Sequence, residues 1–261
     1  MALKLLQFGD GRWGSNHKRI LNGFGHDIKT FDIDKDYWRV LQAHSDQVDG
    51  VLVTTSSVNH WPIGKMCMEM NIPVFIEKPI LLKKFQLEEL KGFADKKIMM
   101  AGHQLVFMPE VASLKGRVAY MNSTRSGAIP RSEGSLFSLM VHDVALAHYV
   151  TGVEKFTCSW AEGNKHEIKA TLKGPNGVFV DLYAVSISKV RLRHTTFVTS
   201  GNIVQMTPDN WSRIDILSLE MKFFCGCIEQ KKPILINGVD DAIKVMTTIF
   251  TIQDKLESSK Q

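Results

Sequence analysis

The stretch LKLLQFGDGRWGSNHKRILNGFG (residues 3–25) constrains this chain more than any other. A short, mostly apolar run feeds straight into three glycines, after which Ile20, Leu21 and Phe24 recur on one helical face that stops at Gly25. The order strand, glycine loop, helix opens a β-α-β unit. Gly9, Gly11 and Gly14 stand at G-x-G-x-x-G spacing. In such a loop the first glycine makes the tight turn, the second lets a pyrophosphate approach the backbone, and the third lets helix and strand pack closely. The helix then turns free N–H groups and the positive end of its dipole towards the phosphates. Three glycines also make an ordinary turn, so the flanking sequence must decide.

A second strand, DIKTF, ends at Asp32, where a dinucleotide-binding unit carries the acid that bonds the adenosine ribose hydroxyls. A carboxylate there repels a 2′-phosphate, so NAD is favoured over NADP, and Arg12 and Lys35 are the residues that would reverse this preference. The alternative is that Asp32 only begins the polar turn DIDKD. Trp13 either covers the cofactor or plugs the junction of helix and sheet.

GVLVTTSS then reads as a strand with a polar end, HWPIGKMCMEMN as a helix with Pro62 in its first turn, and IPVFIE as another strand. A helix with Leu87, Leu90 and Phe93 on one face leads into KKIMMAG. Strands alternating with helices imply a parallel sheet, whose ligands lie beyond the carboxyl ends of the strands. Lys78, just past such an end in FIEKPI, projects into that crevice. Beyond about residue 103, HEIKATLKG, GVFVDLYAVS and VRLRHTTFVTS alternate apolar and polar residues between Gly, Asn and Pro, as antiparallel strands with one wetter face do. The expected fold is α/β: an N-terminal Rossmann parallel sheet over residues 1–102, then a C-terminal α+β domain over 103–261 with a largely antiparallel open sheet.

The 261 residues, 44% hydrophobic and 23% charged, suffice for one large or two modest domains. The net charge of +5 is spread among acids rather than gathered in a basic block, which gives no support for nucleic-acid binding. No apolar run reaches membrane-spanning length. The start of the chain lacks the apolar run of a signal peptide, and four cysteines without framework spacing point to a reduced, cytoplasmic setting. Cys225 and Cys227 have no second pair or nearby His to complete a metal set, and no metal is expected.

Taken in order, the glycine loop, TTSSVNH ending in His60, and FIEKPI resemble the Gfo/Idh/MocA family of nicotinamide-dependent sugar and polyol oxidoreductases. GHQLVFMP (102–109), SLFSLMVHDVALAHYVTG (135–152) and the closing KKPILINGVDDAIKVMTTIFTIQDKLESSK extend the resemblance over almost the whole chain. The resemblance implies a cofactor site of Gly9, Gly11, Arg12, Trp13, Gly14, Asp32, Thr54, Thr55, Ser57, His60, Glu77 and Lys78. It also implies a substrate site of Lys78, His103, Arg125, Arg131, Ser138 and His142. Lys78 would touch the reacting hydroxyl and His142 would act as acid or base, with Pro79 orienting the lysine backbone, for which a cis bond is one available geometry. RSGAIPRSEG is similar to the lead-in of the family's nucleotide-sugar dehydrogenases, which would bring Arg125 and Arg131 to a diphosphate. It further implies self-association through the C-terminal sheet.

Taken singly, each residue has a plainer reading: Lys78 as a strand-end lysine paired with Glu77, His142 as a satisfied histidine under an apolar helix, and the two arginines as solvated loop residues. The chain also departs from the family pattern. Ser138 stands where the family has an acid four residues before the histidine, Val106 where it often has Arg, and the interval between Asp32 and Val51 holds only one short helix, which predicts a trimmed sheet edge. The leading expectation is an NAD-dependent dehydrogenase or reductase acting on a sugar, with a nucleotide sugar as the first candidate. Two alternatives remain: a same-fold reductase of another carbonyl or imine, and a cofactor-binding sensor or regulator without chemistry.

Overall fold

The computed structural model of the chain describes residues 1–32, 36–127, 132–207 and 215–259; Lys35 and Arg131 lie outside them. The first half alternates β1 (Lys4–Phe8), α1 (Arg12–Gly23), β2 (Asp27–Phe31), α2 (Tyr37–His44), β3 (Gly50–Val53), α3 (Ser57–Glu69), β4 (Val74–Glu77), α4 (Lys84–Lys91) and β5 (Met99–Gly102). The strands form a parallel sheet in the order β2-β1-β3-β4-β5. Every residue of β3, β4 and β5 is buried. Unbroken apolar runs of this kind belong to strands covered on both faces, whereas alternation marks a sheet with one face in water.

Between β2 and β3 the described residues hold only α2, capped by Asp36 through the N–H groups of Trp38 and Arg39, and a single 3-10 turn at Ser45–Gln47. The expected trimmed edge is present there. One helix start differs. α3 begins at Ser57, so Pro62 lies inside the helix rather than in its first turn. The polar end expected for the strand stops short of Ser57, which begins the helix, and Ser56 is its extended N-cap at φ −69°, ψ 148°.

The second half contains α5 (Pro109–Ala112), β6 (Val118–Ser126), a π-helical turn at Leu136–Met140 running into α6 (Val141–Thr151), then β7 (Thr157–Gly163), β8 (Glu167–Lys173), β9 (Phe179–Val185), β10 (Arg193–Thr199), β11 (Ile203–Met206), α7 (Ile216–Glu229) and α8 (Val239–Ser258). Its sheet has the order β11-β10-β6-β9-β8-β7, with β6 and β9 parallel and the other neighbours antiparallel. In β8, Ile168, Ala170 and Leu172 are buried while Lys169 and Lys173 are exposed, which is the period-2 pattern of a sheet with one wetter face. The α/β class, with a parallel sheet followed by a largely antiparallel one, is as the sequence implies.

The chain divides into two compact units, but not by one cut near residue 102. The first comprises Met1–Gln104 with Asp215–Ile243, the second Leu105–Ile214 with Lys244–Gln261. α7 belongs with the parallel sheet because Phe224 packs edge-on against Phe75 of β4. The segment after it lies along β5, where Ala101 N–H donates to the Asn237 carbonyl at 2.7 Å and Ile234 N–H to that of Lys97 at 2.8 Å. In the second unit, His148 of α6 meets Thr248 of α8 at 2.9 Å and Phe137 packs on Phe250. No helix among the described residues is long and apolar enough to cross a membrane.

Candidate functional site

The glycine loop is built from close backbone approaches. Gly9 has φ +95°, and a Cβ there would stand 2.8 Å from the Thr54 backbone. A Cβ on Gly14 would collide with the Gly9 carbonyl oxygen. That same oxygen accepts from Thr54 Oγ1 at 2.8 Å and Gln7 Nε2 at 2.9 Å, so Thr54 serves the loop through its hydroxyl. Gly9 N–H donates to the Phe31 carbonyl at 2.8 Å, which ties the loop to the end of β2 beside exposed Asp32. Asp32 also acts on Tyr37, whose hydroxyl is pushed up by burial and by that negative charge.

Gly11 differs from its two neighbours. A Cβ there would meet nothing within 4 Å. The first turn of α1 carries no acid and no side-chain cap, and both Arg12 and Trp13 are exposed on it. Open space over a glycine, uncapped helix N–H groups and an acid at the end of β2 together fit the pyrophosphate and ribose of a dinucleotide.

The turns after β3 and β4 are tied by His60. Its ring is buried, with Nδ1 2.8 Å from the Pro79 carbonyl oxygen and Nε2 3.0 Å from that of Thr55. Burial pulls its pKa down against the pull of those carbonyls. Both ring nitrogens are thus engaged with backbone, and His60 clamps the two turns together. Thr55 Oγ1 donates to the Ser56 carbonyl at 3.2 Å, and Ser57 is the first residue of α3.

β4 ends at Glu77, and the Lys78–Pro79 bond is cis. Lys78 is half-buried while Glu77 is buried. Glu77 Oε2 accepts the Lys78 backbone N–H at 3.1 Å, and its Oε1 lies 2.8 Å from His17 Nε2. Burial raises the Glu77 carboxyl, but the His17 hydrogen bond and the charges of His17, Lys78 and His60 outweigh it and hold the pKa below the usual carboxylate range. His103, following β5, is buried and pushed down to about 4 by burial and by the Lys78 charge. Lys78 therefore has a fixed carboxylate behind its backbone and a neutral histidine within its field. His17 was not foreseen. Its only signal is that it shares the buried face of α1 with Gly14, Ile20 and Leu21.

In the second unit, His142 is the half-buried second residue of α6, one turn after buried Ser138 of the π-helical stretch. Ser138 Oγ donates to the Gly134 carbonyl at 2.6 Å. Asp143 is buried and turned to the sheet, where its oxygens accept from Arg125 Nε at 2.9 Å, a second Arg125 nitrogen at 2.8 Å and Ser123 Oγ at 3.0 Å. Arg125 is accordingly a buried β6 residue with its fork committed to Asp143. It is neither a solvated loop arginine nor an open diphosphate ligand. Arg193, directly opposite Arg125 on β10, is held down to about 10 by burial and by the charges of Arg125 and Arg191, against Asp143.

Residues 16–103 match the model of an oxidoreductase family with an NAD-binding Rossmann fold, Gfo/Idh/MocA. The match begins just past the glycine loop and ends just past β5, so it covers the helix, acid, turns and lysine described above. Over residues 16–103 this chain is similar to the Gfo/Idh/MocA oxidoreductases. Scyllo-inositol 2-dehydrogenase (NAD(+)) of Bacillus subtilis is 22% identical over 264 residues, spanning 81% of this chain and 76% of that protein. UDP-N-acetylglucosamine 3-dehydrogenase of Acidithiobacillus ferrooxidans is 27% identical over 117 residues, 41% of this chain and 37% of that protein. A crystal form of the latter enzyme superposes with a TM-score of 0.85 at 17% identity, covering 100% of both chains. Scyllo-inositol dehydrogenase from Lactobacillus casei, solved with bound NAD(H) and scyllo-inositol, gives 0.77 at 14% identity over 99% of this chain and 98% of that one. At these identities the superpositions establish the Gfo/Idh/MocA fold. The matched residues correspond to the NAD-binding Rossmann domain of an oxidoreductase family.

Proposed function

We propose that this protein transfers hydride between NAD and a hydroxyl or keto carbon of a sugar or cyclic polyol, a nucleotide sugar being the leading substrate class. The observation that carries the reading is Lys78: a half-buried cation just past the carboxyl end of β4, backed by a carboxylate held below the usual range. Gly9, Gly11 and Gly14 with the N-terminus of α1 would hold the pyrophosphate, and Asp32 the ribose, which favours NAD over NADP. When bound, the nicotinamide supplies the hydride acceptor or donor. The Lys78 ammonium would stabilise the substrate oxygen as its proton leaves, and His142 would exchange that proton, the role its place in the family pattern gives it.

The nucleotide-sugar class is supported by the loop before α6 and by the named activity of one relative. It draws nothing from Arg125, whose charge is matched by Asp143. Phe179 and Ile203, exposed on strands of the C-terminal sheet, support self-association through that sheet. The four cysteines are unpaired, in keeping with a reducing, cytoplasmic setting.

The test is to mix purified protein with NAD and fractionated pools of nucleotide sugars and polyols and follow nicotinamide reduction, beside a Lys78→Met control. A signal absent from the control identifies the dehydrogenase and its substrate fraction. Equal signals from both proteins remove Lys78 from the chemistry. Binding of NAD without turnover of any pool favours the sensor reading, which Ser138 in place of an acid permits.

A further inference from the structure

α7 carries a buried acid that the proposed chemistry does not use. Glu220 is 1% exposed and its Oε1 has no hydrogen-bond partner. The next residue, Met221, has its sulfur 3.3 Å from His17 Nδ1. His17 Nε2 meets Glu77 Oε1, and Glu77 Oε2 accepts the Lys78 N–H. Phe75 packs on the His17 ring from one side and on Phe224, one turn along α7 from Glu220, from another. The surroundings are therefore largely apolar, and an unpaired carboxylate is strongly disfavoured in them.

The two acids respond in opposite directions. Burial, reinforced by the negative charge of Glu77, raises the Glu220 carboxyl well above its ordinary value. Glu77 is drawn below its ordinary value by His17, Lys78 and His60 despite its own burial. Paired acids whose environments push them apart settle into one charged and one neutral member. The charged and titratable groups facing this pair are His17 from α1, His60 from α3, Lys78 after β4, and His103 after β5, which senses both Glu77 and Lys78.

We propose that Glu220 is a positioning residue for Lys78: a neutral carboxylic acid beside Glu77 that keeps the buried cluster at one negative charge, so that Glu77 stays committed to His17 and the Lys78 backbone. This rests on the assignment of Lys78 to the reaction. Ionising Glu220 would set a second negative charge against Glu77 and loosen its hold on the Lys78 turn. The effect must therefore appear on the alkaline side. A carboxyl raised in the folded state adds stability that is complete below the ordinary carboxyl range and is lost as pH rises towards the folded-state value.

Glu220→Gln keeps the shape of the neutral acid and cannot ionise. Its urea midpoint should match the parent near about pH 4 and exceed it by a margin that grows towards about pH 9, and in a Glu77→Gln background that alkaline gain should shrink. Reductive methylation of Lys78, read by mass spectrometry of its peptide, gives a measure independent of turnover. At the alkaline pH the parent's Lys78 should react at least about twofold faster than that of Glu220→Gln, and the two should react alike near neutrality. A midpoint that matches the parent near about pH 4 and falls below it near about pH 9 would mean that Glu220 is charged and paired, and overturns the proposal. Lys78 reactivity unchanged at alkaline pH, with the stability shift present, overturns the positioning role. Failure of the Lys78→Met turnover test would leave both readouts intact, so the two failures are distinguishable.

Discussion

His17 Nε2 stands 2.8 Å from Glu77 Oε1, although 60 positions separate the two residues in the chain. The contact joins the first helix to the end of β4 and supports the backbone from which Lys78 departs. Removing one partner of a buried pair leaves the other charge uncompensated. His17→Leu should therefore lower stability by about 3 kcal/mol, the usual scale for breaking such a pair, measured by urea unfolding. A loss under about 1 kcal/mol would mean that Glu77 finds another partner or takes up a proton.

Gly11 and Gly14 separate cofactor binding from folding. Gly11 has φ −68° and open space around it, so Gly11→Ala should fold with an unchanged melting temperature. Its methyl group would stand where a pyrophosphate must approach, and NAD affinity should fall at least about tenfold, ~1.4 kcal/mol. Gly14→Ala, in contrast, drives a methyl into the Gly9 carbonyl and should lose both stability and binding. Titration calorimetry beside thermal melts distinguishes the two. Full NAD affinity in Gly11→Ala would remove the glycine loop from the cofactor site.

Arg125 and Asp143 form a second buried pair, on the C-terminal sheet. Arg125→Leu should cost about 3–5 kcal/mol, and Arg125→Lys should recover only part of it, because an ammonium cannot reproduce the two-pronged contact. The double variant Arg125→Met, Asp143→Leu should be milder than either single change. Urea unfolding of the parent, Arg125→Met, Asp143→Leu and the double variant forms the cycle, and additive losses would deny the coupling.

His148 sets a pH dependence. Its buried ring is pushed down to about 4, while Nδ1 lies 2.7 Å from the Val153 carbonyl and Nε2 reaches Thr248. A histidine depressed in the folded state binds fewer protons there than when unfolded. Its contribution is complete above the unfolded value near ~6.5 and is lost as pH falls towards the folded value. The loss is at most roughly 3 kcal/mol, and His103, also held near about 4, adds in the same window. Replacing His148 by Asn should flatten the stability profile there, and an unaltered profile would assign the acid sensitivity to other groups.

The legible parts of this protein were local. The G-x-G-x-x-G spacing, the unbroken apolar runs of β3 to β5 and the alternation in β8 to β10 follow from neighbouring residues along the chain, because strand period, helix face and turn chemistry are short-range properties. β6, the strand joining β10 to β9, was missed for a physical reason. Its inward positions include Ser123 and Arg125, which break the apolar alternation and become comfortable only once Asp143 arrives from α6. Lys78 and His142 were marked by pattern, but His17 and Glu220 were not, since each acquires its meaning from a partner far away in sequence.

The sequence by itself determined the order of elements, the parallel sheet and the positions of the glycines, the acid after β2 and the lysine after β4. Tertiary structure alone decided that α7 returns to the first unit, that His60 clamps two turns, that Arg125 is held by Asp143, and that of two buried acids one is drawn down by its neighbours while the other is pushed up by burial. Those outcomes depend on burial and on charges brought close by folding, and the free energy of an ionised group is set by what surrounds it in space.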